Sequence, residues 1–207
     1  MYGKLLRITL IPLSSLLATL ALSSCGTTKD NRNKVLVSVR DQKMLLVRDG
    51  KAVKTYRVST SKFGIGDRPG SNCTPLGRME IAKKIGERNP AGMVFKTRRP
   101  TGEVIKPNAP GRDPIVSRIL WLRGKDRQTC NAFGRCIYIH GTAEEWRLGT
   151  PASYGCIRMG SRDVIDLFGR LGEGAEVQVI RGSLSSTGPR LSYVSLAAAR
   201  NSRSKGG

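Results

Sequence analysis

The 207-residue sequence is poor in aromatic, acidic and histidine residues. Aromatic side chains make up 5% of it, which leaves few rings to stack on nucleic-acid bases. A single histidine and the lack of a Cys-x-x-Cys pair argue against a zinc site. The sequence has 15 Asp and Glu against 36 Lys and Arg, so the net charge is +21. This excess indicates an anionic partner such as nucleic acid, acidic lipid or a carboxylate-rich polymer, and charge alone does not choose among them.

The sequence also lacks an apolar run of the roughly 20 residues that a membrane-spanning helix needs. The run from Ile8 to Leu22 is shorter and contains Pro12. It follows Lys4 and Arg7 and ends in small residues. This pattern is typical of an export signal.

The residues Leu22-Ser23-Ser24-Cys25 resemble the lipobox of bacterial lipoproteins, in which cleavage leaves a lipid-modified cysteine at the new N-terminus. We therefore predict a signal peptide over 1–24, lipidation of Cys25 and a polar tether over 25–33. The chain is then expected to be exported and anchored to a membrane, facing the periplasm or cell wall. The alternative is a plain cleaved signal with a coincidental cysteine.

Residues 34–182 are expected to form one mainly β domain. Short apolar runs rich in valine alternate with turn residues, which is typical of β-strands. The predicted strands are 35–40, 44–50, 53–60, 77–84, 93–98, 115–123, 136–142 and 175–182. One segment, 162–171, has helical spacing of its apolar residues, with Ser161 placed as N-cap and Gly172 as the stop.

Two further segments are predicted to be irregular. The stretch 86–135 is rich in Gly, Pro and Arg, and we expect a lid-like insertion there. The basic segment 183–207 is expected to be a flexible tail, which either holds an anionic surface or has no role.

Export gives the cysteines a second possible use, because disulfides persist outside the cytoplasm. Cys130 and Cys136 flank a short polar loop, and we predict that they could form a local bridge. That pairing leaves Cys73 as an odd thiol.

The sole histidine, His140, ends an apolar strand, and Cys156 follows 16 residues later. A nucleophilic cysteine needs a base, a group that orients the base, and amide hydrogens for the oxyanion. Gly141 and Gly155 would let backbone groups approach a substrate closely. From spacing alone, nucleophilic catalysis and a structural histidine with an inert cysteine both stay open.

At these residues the sequence resembles a known family. His140-Gly141-Thr142 followed by Ser153-Tyr154-Gly155-Cys156-Ile157-Arg158-Met159 resembles the signature of the YkuD-type L,D-transpeptidases. The segments 58–64 and 74–78 are similar to the upstream strand and loop of that family. The resemblance covers about residues 34–182.

The resemblance implies a β-sandwich-like catalytic domain that cross-links peptidoglycan stem peptides without cofactor or metal. Cys156 would attack the carbonyl that joins the third-position diamino acid to D-Ala, and His140 would take the thiol proton. The Gly141 carbonyl would orient the imidazole ring, and the amides of Gly155 and Cys156 would bind the oxyanion.

Three more residues are assigned to substrate binding by the resemblance. Arg158 would bind a substrate carboxylate, or alternatively serve as a buried strut that bonds backbone carbonyls. Ser153 and Tyr154 would line the site. Tyr154 stands where many family members have a second histidine, so we expect it to shape the wall of the site rather than to titrate.

Two other functions remain open at this stage. An L,D-carboxypeptidase or cysteine hydrolase would act on the same stem peptides with water as the acceptor. A non-catalytic lipoprotein would use its positive charge to adhere to the wall. We expect no nucleic-acid partner, and the sequence makes no prediction of the oligomeric state.

Overall fold

The computed structural model describes residues 28–187. The predicted signal peptide, Cys25 and the residues beyond 187 lie outside the described residues. The strands are β1 Asn33–Ser38, β2 Lys43–Arg48, β3 Lys51–Ser59, β4 Gly77–Ile85, β5 Met93–Lys96, β6 Arg99–Val104, β7 Ile115–Gly124, β8 Tyr138–Thr142, β9 Ile157–Met159 and β10 Glu176–Ile180. The α-helix, α1, is Ser161–Arg170. Over 28–187, no helix is both long and apolar enough to cross a membrane.

The strands form a single sheet that closes on itself. Its order is β4-β10-β1-β2-β3-β9-β8-β7, and β4 also pairs with β7. Two neighbouring pairs are parallel, β1 with β10 and β8 with β9. The β5–β6 hairpin extends the sheet beyond β7 through pairing of β5 with β7. The prediction of a mainly β domain with one helix is confirmed.

The apolar faces of the closed sheet and of α1 form the main core. Val164, Leu167 and Phe168 lie on one helix face at the spacing that an amphipathic helix requires, and all three are buried. From the strands, Met44, Tyr56 and Ile139 are among the largest fully buried side chains. This core fixes β8, β9 and the start of α1, which carry the candidate site.

The start of α1 differs from the prediction. Gly160 is the N-cap, and Ser161 is the first helical residue without a side-chain cap bond. The Ser161 amide donates to Glu145 Oε1 at 2.7 Å, and its hydroxyl bonds Ser117 Oγ at 2.9 Å. A carboxylate from a different segment therefore binds an amide that has no partner within the helix, so the prediction of Ser161 as N-cap was wrong.

The insertion 86–135 is more regular than predicted, because it contains β5, β6 and the long strand β7. The sequence also did not predict β6 or β9. Every residue of β6 is exposed, so the strand lacks an alternating apolar face. β9 has only three residues, too few to give a period.

Candidate active site

The parallel pair β8–β9 brings the two motifs together. His140 on β8 and Arg158 on β9 are register partners, and Cys156 directly precedes β9. Side chains of partners in a sheet project on the same face. Strand pairing thus brings His140 and Cys156, which are 16 residues apart in sequence, to neighbouring positions.

The turn before the cysteine requires glycine. Gly155 has φ +120°, and a Cβ atom there would lie 3.2 Å from Ile137 Cδ1 and 3.3 Å from the Cys73 carbonyl. Thr74 Oγ1 donates to the Gly155 carbonyl at 3.0 Å. Ser61 pairs with Ser153 across an isolated bridge. The segments 58–64 and 74–78, noted in the sequence, therefore hold this turn.

Ser153 bonds within this turn and is 1% exposed. Its hydroxyl donates to the Cys156 carbonyl at 2.5 Å and accepts the Gly155 N–H at 3.2 Å. Both contacts lie within the turn, and its predicted role in substrate binding stays a prediction. Because the Gly155 amide is engaged, the Cys156 amide is the remaining predicted oxyanion donor.

The thiol of Cys156 has backbone partners. Its sulfur accepts the Tyr138 N–H at 3.4 Å and contacts the Cys136 carbonyl at 3.5 Å. It packs against an apolar cluster that includes Tyr138 and Phe95. Burial disfavours the thiolate and raises the pKa of Cys156 to about 11, so the resting group is a thiol at neutral pH.

His140 is buried and is held by its neighbour. Its Nδ1 lies 2.8 Å from the Gly141 carbonyl, which is the contact predicted from the sequence. Because a carbonyl can only accept, Nδ1 carries the hydrogen and Nε2 keeps a free electron pair. Burial lowers the pKa of His140 to about 4, and the nearby Arg158 cation acts in the same direction. Gly141 is needed there, because a Cβ would lie 2.5 Å from the Val116 carbonyl.

Arg158 is buried between two carboxylates that the sequence did not reveal. Its Nη2 lies 3.0 Å from Asp113 Oδ2, and its Nη1 lies 3.3 Å from Glu144 Oε2. Asp113 Oδ2 has no well-aligned hydrogen bond, so this contact is an ion pair. Asp113 Oδ1 accepts from the Thr142 hydroxyl at 2.5 Å and from the Ala143 amide at 3.0 Å. Arg158 thus braces the loop after β8, and a substrate carboxylate would have to displace one of these partners.

Tyr154 lies on the outer surface and is 59% exposed. Lys62 Nζ donates to its hydroxyl at 2.9 Å, and this cation lowers the pKa of Tyr154. The Phe63 ring lies 5.4 Å away, centroid to centroid. We call Lys62, Phe63 and Tyr154 the outer cluster. Tyr154 therefore contacts surface residues, while Ser153 and Thr74 bond to the backbone of the turn before Cys156.

The four cysteines within 28–187 are free thiols, so the predicted bridge between Cys130 and Cys136 is not formed. Cys130 is exposed. Cys136 has φ +57°, and its sulfur lies 3.6 Å from Arg98 Nη1. The Cys136 thiol thus contacts Arg98 instead of Cys130.

Comparison with known proteins gives one family. The family model described as the YkuD L,D-transpeptidase catalytic domain matches residues 32–179. No curated protein matches the chain.

Several solved L,D-transpeptidase structures are also similar. One from Xylanimonas cellulosilytica is 19% identical, with 75% of this chain and 62% of that chain covered and a TM-score of 0.47. One from Mycobacterium smegmatis is 14% identical, with 72% and 58% covered and a TM-score of 0.46. One from Mycobacterium tuberculosis is 15% identical, with 72% and 58% covered and a TM-score of 0.45. This chain spans about 60% of the length of these structures. Because the family model matches more than half of its length, this chain belongs to the YkuD family of L,D-transpeptidase catalytic domains.

Proposed function

We propose that this chain cross-links peptidoglycan stem peptides through an acyl-enzyme on Cys156. The observation that carries the proposal is the contact of His140 Nδ1 with the Gly141 carbonyl, on the strand beside the one that Cys156 precedes. That contact leaves Nε2 as an unprotonated base, which a thiol nucleophile requires. The pKa values of about 4 for His140 and about 11 for Cys156 make both groups neutral at rest.

The proposed mechanism starts from a neutral Cys156 thiol and a neutral His140 imidazole. As Cys156 sulfur attacks the donor carbonyl, its proton moves to His140 Nε2, and the carbonyl oxygen becomes an oxyanion near the Cys156 amide. The carbon–nitrogen bond then breaks, and His140 returns the proton to the departing D-Ala amine. An acceptor amine attacks the thioester, gives a proton through His140 to the sulfur, and restores the thiol.

Hydrolysis uses the same acyl-enzyme with water as the acceptor, so products decide between the two reactions. The purified chain is incubated with a tetrapeptide donor, with and without an acceptor amine, and the products are separated. We expect dimers; trimmed monomers alone would make the chain a carboxypeptidase. No product, and no covalent adduct on Cys156 with a carbapenem detected by mass spectrometry, would contradict catalysis and favour a wall-binding protein.

We further propose that the chain is exported and anchored by lipid on Cys25. The support is the apolar run before Leu22-Ser23-Ser24-Cys25 and the charge of +21, which suits an acidic wall. Cys25→Ser should abolish acylation, measured by intact mass and detergent-phase partitioning, while Cys130→Ser as a control should not. Acyl chains on the Cys25→Ser protein would contradict the anchor.

A further inference from the structure

The β5–β6 hairpin ends in an unusual turn. Its two central residues, Thr97 and Arg98, have φ +49° and +66° between the paired residues Lys96 and Arg99. Such turns normally use Asn-Gly or Gly-Gly, because side chains in the left-handed region cost on the order of 1 kcal/mol each. A β-branched Thr is a marked outlier there. Backbone outliers of this kind cluster at functional sites, where the strained segment positions a side chain.

The turn holds the half-buried side chain of Arg98 over an aromatic cluster. The guanidinium carbon lies 4.6 Å from the centroid of the Trp121 ring. Nη1 donates to the Tyr138 hydroxyl at 3.2 Å and contacts Cys136 sulfur at 3.6 Å. Stacking and hydrogen bonding together fix the plane of the guanidinium.

The residues that hold Arg98 also contact the nucleophile. The Tyr138 amide donates to Cys156 sulfur at 3.4 Å, and the Cys136 carbonyl lies 3.5 Å from the same sulfur. Trp121, Cys136 and Cys156 all pack against the same apolar cluster. Tyr138 and Cys136 therefore each contact both Arg98 and the Cys156 thiol.

The charge of Arg98 has no carboxylate partner among residues 28–187. Arg135 and Arg158 differ, because Arg135 pairs with Asp67 and Arg158 pairs with Asp113. Arg118 also has no carboxylate partner in this part of the chain, but its guanidinium donates to two backbone carbonyls. Only Nη1 of Arg98 has a hydrogen-bond partner in this part of the chain. Its Nε and Nη2 donors are therefore available to an anion from outside.

We propose that Arg98 binds a carboxylate of the donor peptide next to the scissile bond. The inference rests on the proposed function, because the donor is the anion that must approach Cys156. A planar guanidinium held in place suits bidentate binding of a carboxylate. Two carboxylates lie within one residue of that bond, the terminal carboxylate of D-Ala and the side-chain carboxylate of an acidic third-position diamino acid.

The test measures binding without turnover, in the full chain carrying Cys156→Ala. Three donors are titrated by calorimetry: the unmodified tetrapeptide, its terminal amide, and the form amidated on the diamino acid. Adding Arg98→Gln should weaken the binding of the unmodified donor by at least tenfold. One of the two amidated donors already lacks the carboxylate that Arg98 recognises. Arg98→Gln should change the affinity for that donor by less than twofold, and this result identifies the carboxylate. Arg98→Lys should restore part of the affinity.

The control is Arg99→Gln, which removes the same charge from an exposed neighbour on the hairpin and should change every affinity by less than twofold. Equal weakening of all three donors by Arg98→Gln, or no weakening, would overturn the role of Arg98. Failure of the parent to bind any donor would overturn both proposals. Binding with this Arg98 pattern, but no product from the chain with intact Cys156, would support the role of Arg98 and overturn only the proposed reaction.

Discussion

His140 and Arg158 are register partners on β8 and β9, yet the protein treats these two neighbouring basic groups in opposite ways. The imidazole has a backbone carbonyl as its hydrogen-bond partner, and its pKa falls to about 4. The guanidinium is almost as buried but lies between Asp113 and Glu144. Burial favours the neutral form of a basic group that has no counter-ion, whereas paired carboxylates stabilise the charged form of the guanidinium.

The difference suits a thiol nucleophile. A neutral imidazole can accept a proton at once, and the Arg158 cation beside it further disfavours the protonated form. The carboxylates keep the net charge of this buried patch low. The Arg158 cation therefore lowers the proton affinity of His140, while Asp113 and Glu144 compensate its own charge.

The largest expected effect comes from removing the neutral pair. Cys156→Ala and His140→Gln should each lower kcat/KM for dimer formation by at least about 1000-fold, because thiol and base act as a unit. Cys130→Ala, at an exposed thiol outside the site, should keep wild-type activity. Substantial dimer formation by a folded Cys156→Ala protein would contradict the mechanism.

The next largest effect should come from the charged partner. Arg158→Met leaves the buried Asp113 without its cation, while Glu144 keeps Arg147, and should lower the free energy of unfolding by about 3 kcal/mol. Arg170→Met, at the exposed pair with Asp166, should cost about 1 kcal/mol or less. Urea unfolding measures both. Equal losses in the two variants would mean that burial does not distinguish these ion pairs.

The sequence pointed to the two residues of the proposed reaction but not to the charges around them. Cys156 and His140 are recognisable because one is flanked by Gly155 in a specific motif and the other is the sole histidine. Asp113 lies in a stretch without periodicity and reaches Arg158 only through the fold. No local pattern marks such a contact.

The same limit applies to the elements that were missed or misplaced. The start of α1 is bonded by Glu145, which lies 16 residues upstream of Ser161, so the local residues could not show it. The exposed strand β6 carries no apolar pattern. The Cys130–Cys136 bridge was inferred from proximity in sequence, whereas the Cys136 sulfur contacts Arg98, which is distant in sequence. Contacts between residues distant in sequence decide the first and third cases, whereas β6 pairs with its neighbour β5 and was missed because it is wholly exposed.

Acid should reveal the suppressed charge of His140. Its folded pKa of about 4 lies below the ordinary value of 6.5, so the unfolded chain binds the proton first as pH falls. Stability from this group is complete above about pH 6.5 and declines toward pH 4, by about 3 kcal/mol in total. Unfolding free energies of wild type and His140→Gln between pH 7 and 4 measure this. An identical acid loss in the two proteins would show that His140 is not the cause.

The smallest effect is expected at the outer cluster, where charge and ring are in water. Tyr154→Phe removes the acceptor of the Lys62 bond, and Lys62→Met removes its donor, so the two variants should behave alike. Each should lower kcat/KM by tenfold or less, about 1.4 kcal/mol, because exposed polar contacts contribute little. Tyr154→His should also remain active, since the neutral pair already supplies acid and base. A Tyr154→Phe variant as inactive as Cys156→Ala, beside an active Lys62→Met, would mean that the phenol hydroxyl takes part in the chemistry and that His140 and Cys156 do not act alone.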